Sequence, residues 1–431
     1  MSARTWNRSA DASQQGSTLA GLHADYILFL LDESGGIPDA VMATAEAALA
    51  SCQEGHIVQA GNPTHLEGPL YRACTGERRL WHVTEITADE VVETAESIAA
   101  LQLPSGMIPW FPGGHCDPWN HVETAIALDI MGRRDSALAA YHWLANIQHN
   151  DGSWFNYYMP AGDIEDAKLD TNVTAYIAAG VWAHWLCTRD TKAVIDLWPT
   201  VRAALDFVMG MRREDGMVLW AREVDAKPWD YALLTGSSSI RHALHCGAAI
   251  ADLVGEPHPE WTAAADVIDR SINGNLTAFE PKDRWAMDWY YPVMTGAMTG
   301  VRAKARLAEG WDKFVLDDRG VRCVNDEQWV TAAETSECAI AHVAAGDRET
   351  AKELLLWTLP HRRDDGAYWT GIVYPTDPDK TIVHFPADEY SAYTAAAVIM
   401  AADAISGGSP ASRLFTVPMV RRNAHLQVAP L

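Results

Sequence analysis

A turn built on glycine and followed by aromatic residues returns along this chain, and its spacing constrains the fold more than any other feature. In "IQHNDGSWFNYY" (147–158) the turn centres on Gly152, and Trp154, Phe155, Tyr157 and Tyr158 follow at once. The pattern recurs in "LQLPSGMIPWF" at Gly106, "MRREDGMVLWA" at Gly216 and "HRRDDGAYWTG" at Gly366, with weaker copies in "DESGGIPDA" at Gly36 and "LDDRGVRCV" at Gly320. Two spacings agree, 152 − 106 = 46 and 366 − 320 = 46. The gap 216 − 152 = 64 requires a longer loop, and 320 − 216 = 104 holds two units with one degenerate turn. A fixed period of this size marks a supersecondary unit that buries its apolar face only by stacking on copies of itself.

Helical patterns flank the turns. Before them run amphipathic segments with a charged face, such as "TADEVVETAESIAALQ", "RRDSALAAYHWLANIQ" and "DRETAKELLLWTLPH", with apolar residues three and four apart. After the aromatic loops come six apolar, small-residue segments: "HVETAIALDIMG", "DTNVTAYIAAGVWAHWL", "SSIRHALHCGAAIADLV", "YYPVMTGAMTGVRAKA", "TAAETSECAIAHVAAG" and "ADEYSAYTAAAVIMAADAI". A helix apolar on most sides is buried. One amphipathic outer helix and one buried inner helix, repeated six times, predict an all-α (α/α)6 toroid. Its aromatic loops either pack over the turns or pave the mouth of a central cavity; the 18 Trp of the chain suit both roles.

Charge narrows the function. Thirty-three basic against 57 acidic residues leave a net charge of −24, which opposes nucleic acid and anionic membranes but not a neutral saccharide. Seven cysteines without a CxxC pair, and an N-terminus "MSARTWNRSADASQQGSTLAG" without an apolar core, predict a reduced, cytoplasmic protein. Apolar runs fall well short of the ~18 residues of a membrane span. No cofactor motif is present: no Walker loop, GxSxG elbow or GxGxxG in the right context. Zinc held by His115, Cys116 and His121 is conceivable, but no second pair matches and no metal is expected.

The Q-x-x-x-G-x-W-like turns resemble the QW repeats of the squalene-cyclase and protein-prenyltransferase superfamily. The alternating buried helices equally resemble α/α toroid glycosidases such as glucoamylases, trehalases and unsaturated glucuronyl hydrolases. The likeness covers about 88 to 405. It leaves 1–87 as an N-terminal extension packed on the barrel and 406–431, with "FTVPMVRRNAHLQVAPL", as a loose C-terminal tail. The segments "DPWNHVETA", "KLDTNVTAY" and "MDWYYPV" together make the whole chain similar to the small actinobacterial hydrolases that accompany synthesis of intracellular methylmannose polysaccharides. That resemblance implies an endo-acting α-1,4-mannosidase.

In a toroid the inner-helix N-termini point into one mouth and favour carboxylates there, which also serve as helix caps. Asp117 before Pro118 reads as a cap; with Trp119, His121 and Glu123 it also suits a sugar subsite. Asp170 in "DAKLDTNVTAY" resembles the general-acid motif of class II terpene cyclases, but Lys168 replaces the paired carboxylate, which puts alkene protonation in doubt. Asp288 lies among Trp285, Trp289, Tyr290 and Tyr291, and an aromatic pocket would raise its pKa as a general acid requires. Glu334 and Glu337 share a helix face. Arg241 on a buried helix needs an acidic partner or substrate oxygens. Trp369, Asp388, Glu389 and Asp39, each near a turn, complete the candidates. The favoured expectation is an inverting glycoside hydrolase with Asp288 as acid and Glu337 or Asp170 as base, a mechanism that needs two carboxyls ~6.5–9.5 Å apart. The alternatives are a terpene cyclase or prenyltransferase-like enzyme using Asp170 as acid, and a non-catalytic carbohydrate-binding toroid. Oligomeric state is not readable from the pattern.

Overall fold

The computed structural model describes residues 24–31, 34, 37–50, 52–59, 61, 68–74, 88–377, 380–387 and 389–415. The chain divides into two compact units, Met1–Glu85 and Ile86–Leu431. In the first, β1 (Tyr26–Leu31) pairs in parallel with β2 (Glu54–Gln59), Tyr26 opposite Glu54, across the connecting helix α1 (Asp39–Leu49), and a short α2 (Pro69–Cys74) follows. Phe29, Ala45 and Ala48 form its small core. The sequence reading, which treated this region as an extension, did not anticipate a β-α-β unit.

The second unit is a double ring of helices. The inner ring comprises α4 (Pro118–Ile130), α6 (Thr171–Ala175) running into α7 (Ile177–Thr188), α9 (Leu234–Val254), α11 (Ala286–Met294), α13 (Ala332–Ala344) and α15 (Ala392–Ser406). Each packs on the next, and α15 closes on α4. The outer ring comprises α3 (Ala88–Leu101), α5 (Arg134–Ile147), α8 (Thr191–Gly210), α10 (Pro259–Gly274), α12 (Gly300–Phe314) and α14 (Arg348–Leu356). Burial follows the pattern of the sequence: α15 buries Ala392, Thr394–Ala401, Asp403 and Ala404, whereas α10 buries only Trp261, Ala264, Ala265, Ile268 and Ile272. One core runs through the whole ring.

The recurrent turns bind neighbouring outer helices together. Gly152 adopts φ 89°, and a Cβ there would sit 2.0 Å from the carbonyl oxygen of Ala203 on α8. The left-handed conformation and this close approach leave room for glycine alone. Gln148 Nε2 then donates to the carbonyls of Gly152 (2.9 Å) and Thr200 (3.0 Å), and Trp154 Nε1 donates to Leu144 O (2.9 Å). Gln102 repeats the device one unit earlier, bridging Gly106 O (3.1 Å) and Ser136 O (2.8 Å). At the last turn Arg362 pairs with Glu93 of α3 and so ties the ring shut. Trp154 is therefore a core pin, which explains the first ring of the aromatic run after Gly152. The degenerate turn is the one after α10, where the chain passes through Asn275 and a single 3-10 turn, Leu276–Ala278, without an Asp-Gly step.

One expected inner helix is two elements. "YYPVMTGAMTGVRAKA" was expected to be a single buried helix, but α11 ends at Met294 and α12 begins at Gly300 as an outer helix. Gly296 (φ 75°) and Gly300 (φ 61°) break the pattern between them. At the far end of the barrel, Pro410–Arg413 form a 3-10 turn against α7 and α15, and Phe415 stacks on His242 of α9 with centroids 4.9 Å apart. The start of the expected loose tail is thus docked; its remainder lies outside the described residues. Among the described residues no helix is long and apolar enough to cross a membrane.

Candidate active site

All six outer-to-inner loops open at the end of the barrel where the inner helices begin. Three kinds of carboxylate stand there, separated by what holds them. Asp117 caps α4: Oδ1 accepts from Asn120 N (3.0 Å), and Oδ2 from Asn120 Nδ2 (2.7 Å) and Trp110 Nε1 (2.6 Å). Asp170 caps α6: Oδ1 accepts from the N–H groups of Asn172 (2.9 Å) and Val173 (3.2 Å), and Oδ2 from the Trp220 indole. In both, each oxygen is committed to protein donors, the geometry of a helix cap. Burial raises the pKa of both against these stabilising bonds.

Asp288 and Glu334 are held differently. Each is the third residue of its inner helix, α11 and α13, and the two helices are neighbours in the ring. Oδ1 of Asp288 accepts from Thr235 N (3.2 Å) and Thr235 Oγ1 (2.6 Å), while Arg306 holds its backbone carbonyl. Burial raises its pKa, opposed by the Thr235 bonds and by Arg306. Its surroundings correct the expected aromatic pocket. Trp289 turns outward, donating Nε1 to Arg306 O (2.7 Å) and stacking on Phe314 at 5.4 Å, so it belongs to the core rather than to a sugar subsite. Glu334 is half-buried, and one of its oxygens accepts from the Thr331 hydroxyl instead of capping a backbone N–H.

Deeper in the barrel lies a third pair. Glu123 accepts at Oε1 from Trp119 Nε1 (2.8 Å) and Tyr176 OH (3.0 Å); Glu337 accepts at Oε2 from Tyr290 OH. Both are almost fully buried, at 3% and 5% exposure. Burial pushes the pKa of Glu123 up to about 7, and the charges of Asp117 and Glu334 add to it. Glu337 is raised well above the ordinary range by burial and then by Glu123. That direction suits a group holding a proton and argues against Glu337 as the base. Tyr290 orients Glu337 and has no exposed surface left for sugar. A stability consequence follows. The folded-state pKa of Glu123 lies above its unfolded value, so its contribution is intact below pH ~4.5 and is lost as pH rises through about 7. Unfolding measured across pH 4.5–8 is expected to show that loss, and Glu123→Gln is expected to flatten it.

Other expected site residues lie elsewhere. His121 accepts at Nδ1 from Ile108 N (3.2 Å) and donates from Nε2 to Ala140 O (3.0 Å); burial lowers its pKa to about 4. Both nitrogens are spent on backbone, so it binds neither sugar nor metal, and His115, Cys116 and His121 form no ligand set. Arg241 found its acidic partner in Asp269 of the outer helix α10 and donates to Thr295 O (3.2 Å), a correction to its expected contact with substrate. Glu389 accepts from Thr370 Oγ1 (2.9 Å) beside the mouth. Asp39 opens α1 in the first unit and pairs with Arg72 (2.9 Å). Asp388 lies outside the described residues. Cys52, Cys116, Cys187, Cys246, Cys323 and Cys338 are free thiols.

Aromatic side chains pave the rim. From Asp170 the Trp220 ring leads to Trp229 (4.9 Å) and Tyr231 (5.6 Å), and Lys282 stands over Tyr231. Trp285, 44% exposed and covered by Arg284, continues the lane to Asp288. Across the mouth, Trp329 meets Phe385 (5.3 Å), and Trp369 stacks on His384 (4.3 Å) beneath Arg363. The sequence reading included Trp369 but missed Trp110, Trp220 and Tyr176. Their position in or just beyond the aromatic loops was the available signal, and without helix rotations it did not single them out.

No family model matches the sequence. A solved wild-type glycosidase shares the fold, with a TM-score of 0.58 and 13% identity over 75% of this chain and 100% of its own. A sugar epimerase from a ruminal bacterium does so with a TM-score of 0.52 and 11% identity over 73% and 98%. Over 330 residues, 77% of this chain and 90% of the relative, the sequence is 44% identical to the MMP endo-(1,4)-3-O-methyl-alpha-D-mannosidase of Mycolicibacterium hassiacum. With carboxylates and aromatic platforms gathered at one mouth of an (α/α)6 toroid, and identity at that level over most of both sequences, the chain belongs to the family of this mannosidase and is a glycoside hydrolase.

Proposed function

We propose that the enzyme cleaves internal (1→4) linkages of a 3-O-methyl-α-mannose polysaccharide with inversion, using Asp288 as general acid and Glu334 as general base. The substrate class rests on the relative at 44% identity. The catalytic assignment rests on one observation: Asp288 and Glu334 occupy the same third position on adjacent inner helices. Packed helices lie ~8–10 Å apart, which matches the ~6.5–9.5 Å that an inverting pair needs to admit a water. Burial raises the pKa of Asp288, the direction an acid requires. The half-buried Glu334, oriented by Thr331, has access to solvent water. Asp170 and Glu337 support this pair by default: the first is consumed as a cap, the second favours its protonated form. This choice revises the base expected from sequence and keeps the acid. The free thiols of Cys52, Cys116, Cys187, Cys246, Cys323 and Cys338 fit a reducing cytoplasmic compartment.

The rim supports endo action, because a lane from Trp220 to Trp285 offers platforms for sugars on either side of the cleaved bond. Removing one platform is expected to weaken polymer binding without touching the chemistry. Trp285→Ala should raise KM for polysaccharide about 2–10-fold at unchanged kcat, the range of an aromatic stacking contact, and should leave short oligosaccharides less affected. Steady-state kinetics on both substrate lengths checks it; an equal effect on both lengths would remove the lane from the polymer path. A terpene cyclase reading has no support from Asp170, whose oxygens are both engaged as a cap.

A further inference from the structure

Beneath the proposed catalytic pair, the barrel floor carries polar groups that the fold does not use. Glu123 and Glu337 each have one oxygen anchored, by Trp119 and Tyr176 and by Tyr290. The second oxygen of each makes no hydrogen bond to any described residue. Beside them lies Tyr291, fully buried, its ring 5.7 Å from Trp119; burial raises its pKa, and the nearby charges of Glu337 and Glu123 add to the rise. The Tyr291 hydroxyl lies near the Ser239 and Tyr176 hydroxyls, but neither it nor the Ser239 hydroxyl makes a hydrogen bond of full geometry to the described residues, and both are buried. Buried hydroxyls lacking partners cost free energy, so a native structure keeps them where water or a ligand completes the bonds. Glu123, Glu337 and Trp119 retain some accessible surface at the floor.

We propose that Glu123, Glu337, Tyr291, Ser239 and the Trp119 ring form a floor subsite that grips the hydroxyl-bearing edge of the sugar unit at the cleavage point. The carboxyl oxygens and hydroxyls supply donors and acceptors in the mixed pattern that vicinal hydroxyls need, and Trp119 offers an apolar face to the C–H side of the ring. This deepens the reading of the mouth as a mannoside-cleaving site and rests on it. These residues select and position the sugar; the acid and base remain Asp288 and Glu334.

The two hydroxyls provide the test, because neither makes a hydrogen bond of full geometry within the described residues. Tyr291→Phe and Ser239→Ala are titrated calorimetrically with methylated and unmethylated α-(1→4)-mannooligosaccharides and with maltooligosaccharides, and their melting temperatures are compared with wild type. The expected result is about a tenfold weaker affinity in at least Tyr291→Phe, the size of one lost buried hydrogen bond, with melting unchanged. Unchanged affinity in both variants overturns the subsite. A fall in affinity accompanied by an equal loss of thermal stability also overturns it, since the hydroxyls would then be structural. Wild-type binding of maltooligosaccharides alone, weakened by Tyr291→Phe, would keep the floor and discard the mannoside reading. Wild-type binding of none of the probes would discard both.

Discussion

Glu334→Gln and Asp288→Asn are each expected to lower kcat on the polysaccharide by about 10²–10⁴-fold, the contribution of one positioned acid or base, while leaving the melting temperature within a few degrees of wild type. The expectation follows from how the two are held. Neither caps its own helix as Asp117 and Asp170 do; Asp288 accepts from Thr235 and Glu334 from Thr331, bonds that an amide oxygen can keep, so the amide replacements remove chemistry and little structure. Their pH profiles should separate the roles. Loss of the base removes the acidic limb of kcat/KM, and loss of the acid removes the alkaline limb. Glu337→Gln is the control: burial and the charge of Glu123 favour the uncharged form of Glu337, so an uncharged amide should cost far less turnover. If Glu337→Gln proves as damaging as Glu334→Gln, the base lies one turn deeper than proposed.

Trp154→Ala is expected to destabilise the barrel by about 3–5 kcal/mol, the cost of deleting a fully buried indole. Trp154 is 1% exposed, and its Nε1 holds Leu144 O at the end of α5. The loss should appear as a lower urea midpoint. Wild-type kinetics should persist at temperatures where the variant remains folded, because Trp154 faces the core and not the mouth. A change under 1 kcal/mol would show that the Gln148–Gly152–Trp154 device is dispensable. A loss of activity in the folded variant would return this residue to the cavity wall.

The double ring was legible because two periods coincide in it, the 3.6-residue helical repeat and the spacing of the Asp-Gly turns. The fourth unit blurred where they diverge: α10 ends without an Asp-Gly step, and the apolar run from Tyr290 continues past Gly296 into the outer helix α12. The β-α-β unit of residues 26–59 escaped because its strands are short and one face stays exposed, with Tyr26, Leu28 and Leu30 all open to solvent. Within the site, residue type and proximity to a helix start were readable and helix rotation was not. Trp289 and Tyr290 are adjacent, yet one packs outward on Phe314 and the other inward on Glu337. His121 and Arg241 looked like ligands because they are polar on apolar helices; the structure supplies each with partners on the outer ring, Ala140 O and Asp269. Glu334 was visible only as the neighbour of Glu337, since a one-turn difference in depth leaves no mark in sequence.

The most direct test is digestion of a (1→4)-linked 3-O-methyl-α-mannose polysaccharide by the purified enzyme, followed over time by mass spectrometry, with the newly released anomer read by NMR. The account predicts early appearance of mid-length oligosaccharides and new reducing ends of β configuration, inverted from the α linkage. Stepwise release of monosaccharide would contradict endo cleavage, new ends of α configuration would contradict the Asp288–Glu334 inverting pair, and an unaltered polymer would contradict the proposed substrate.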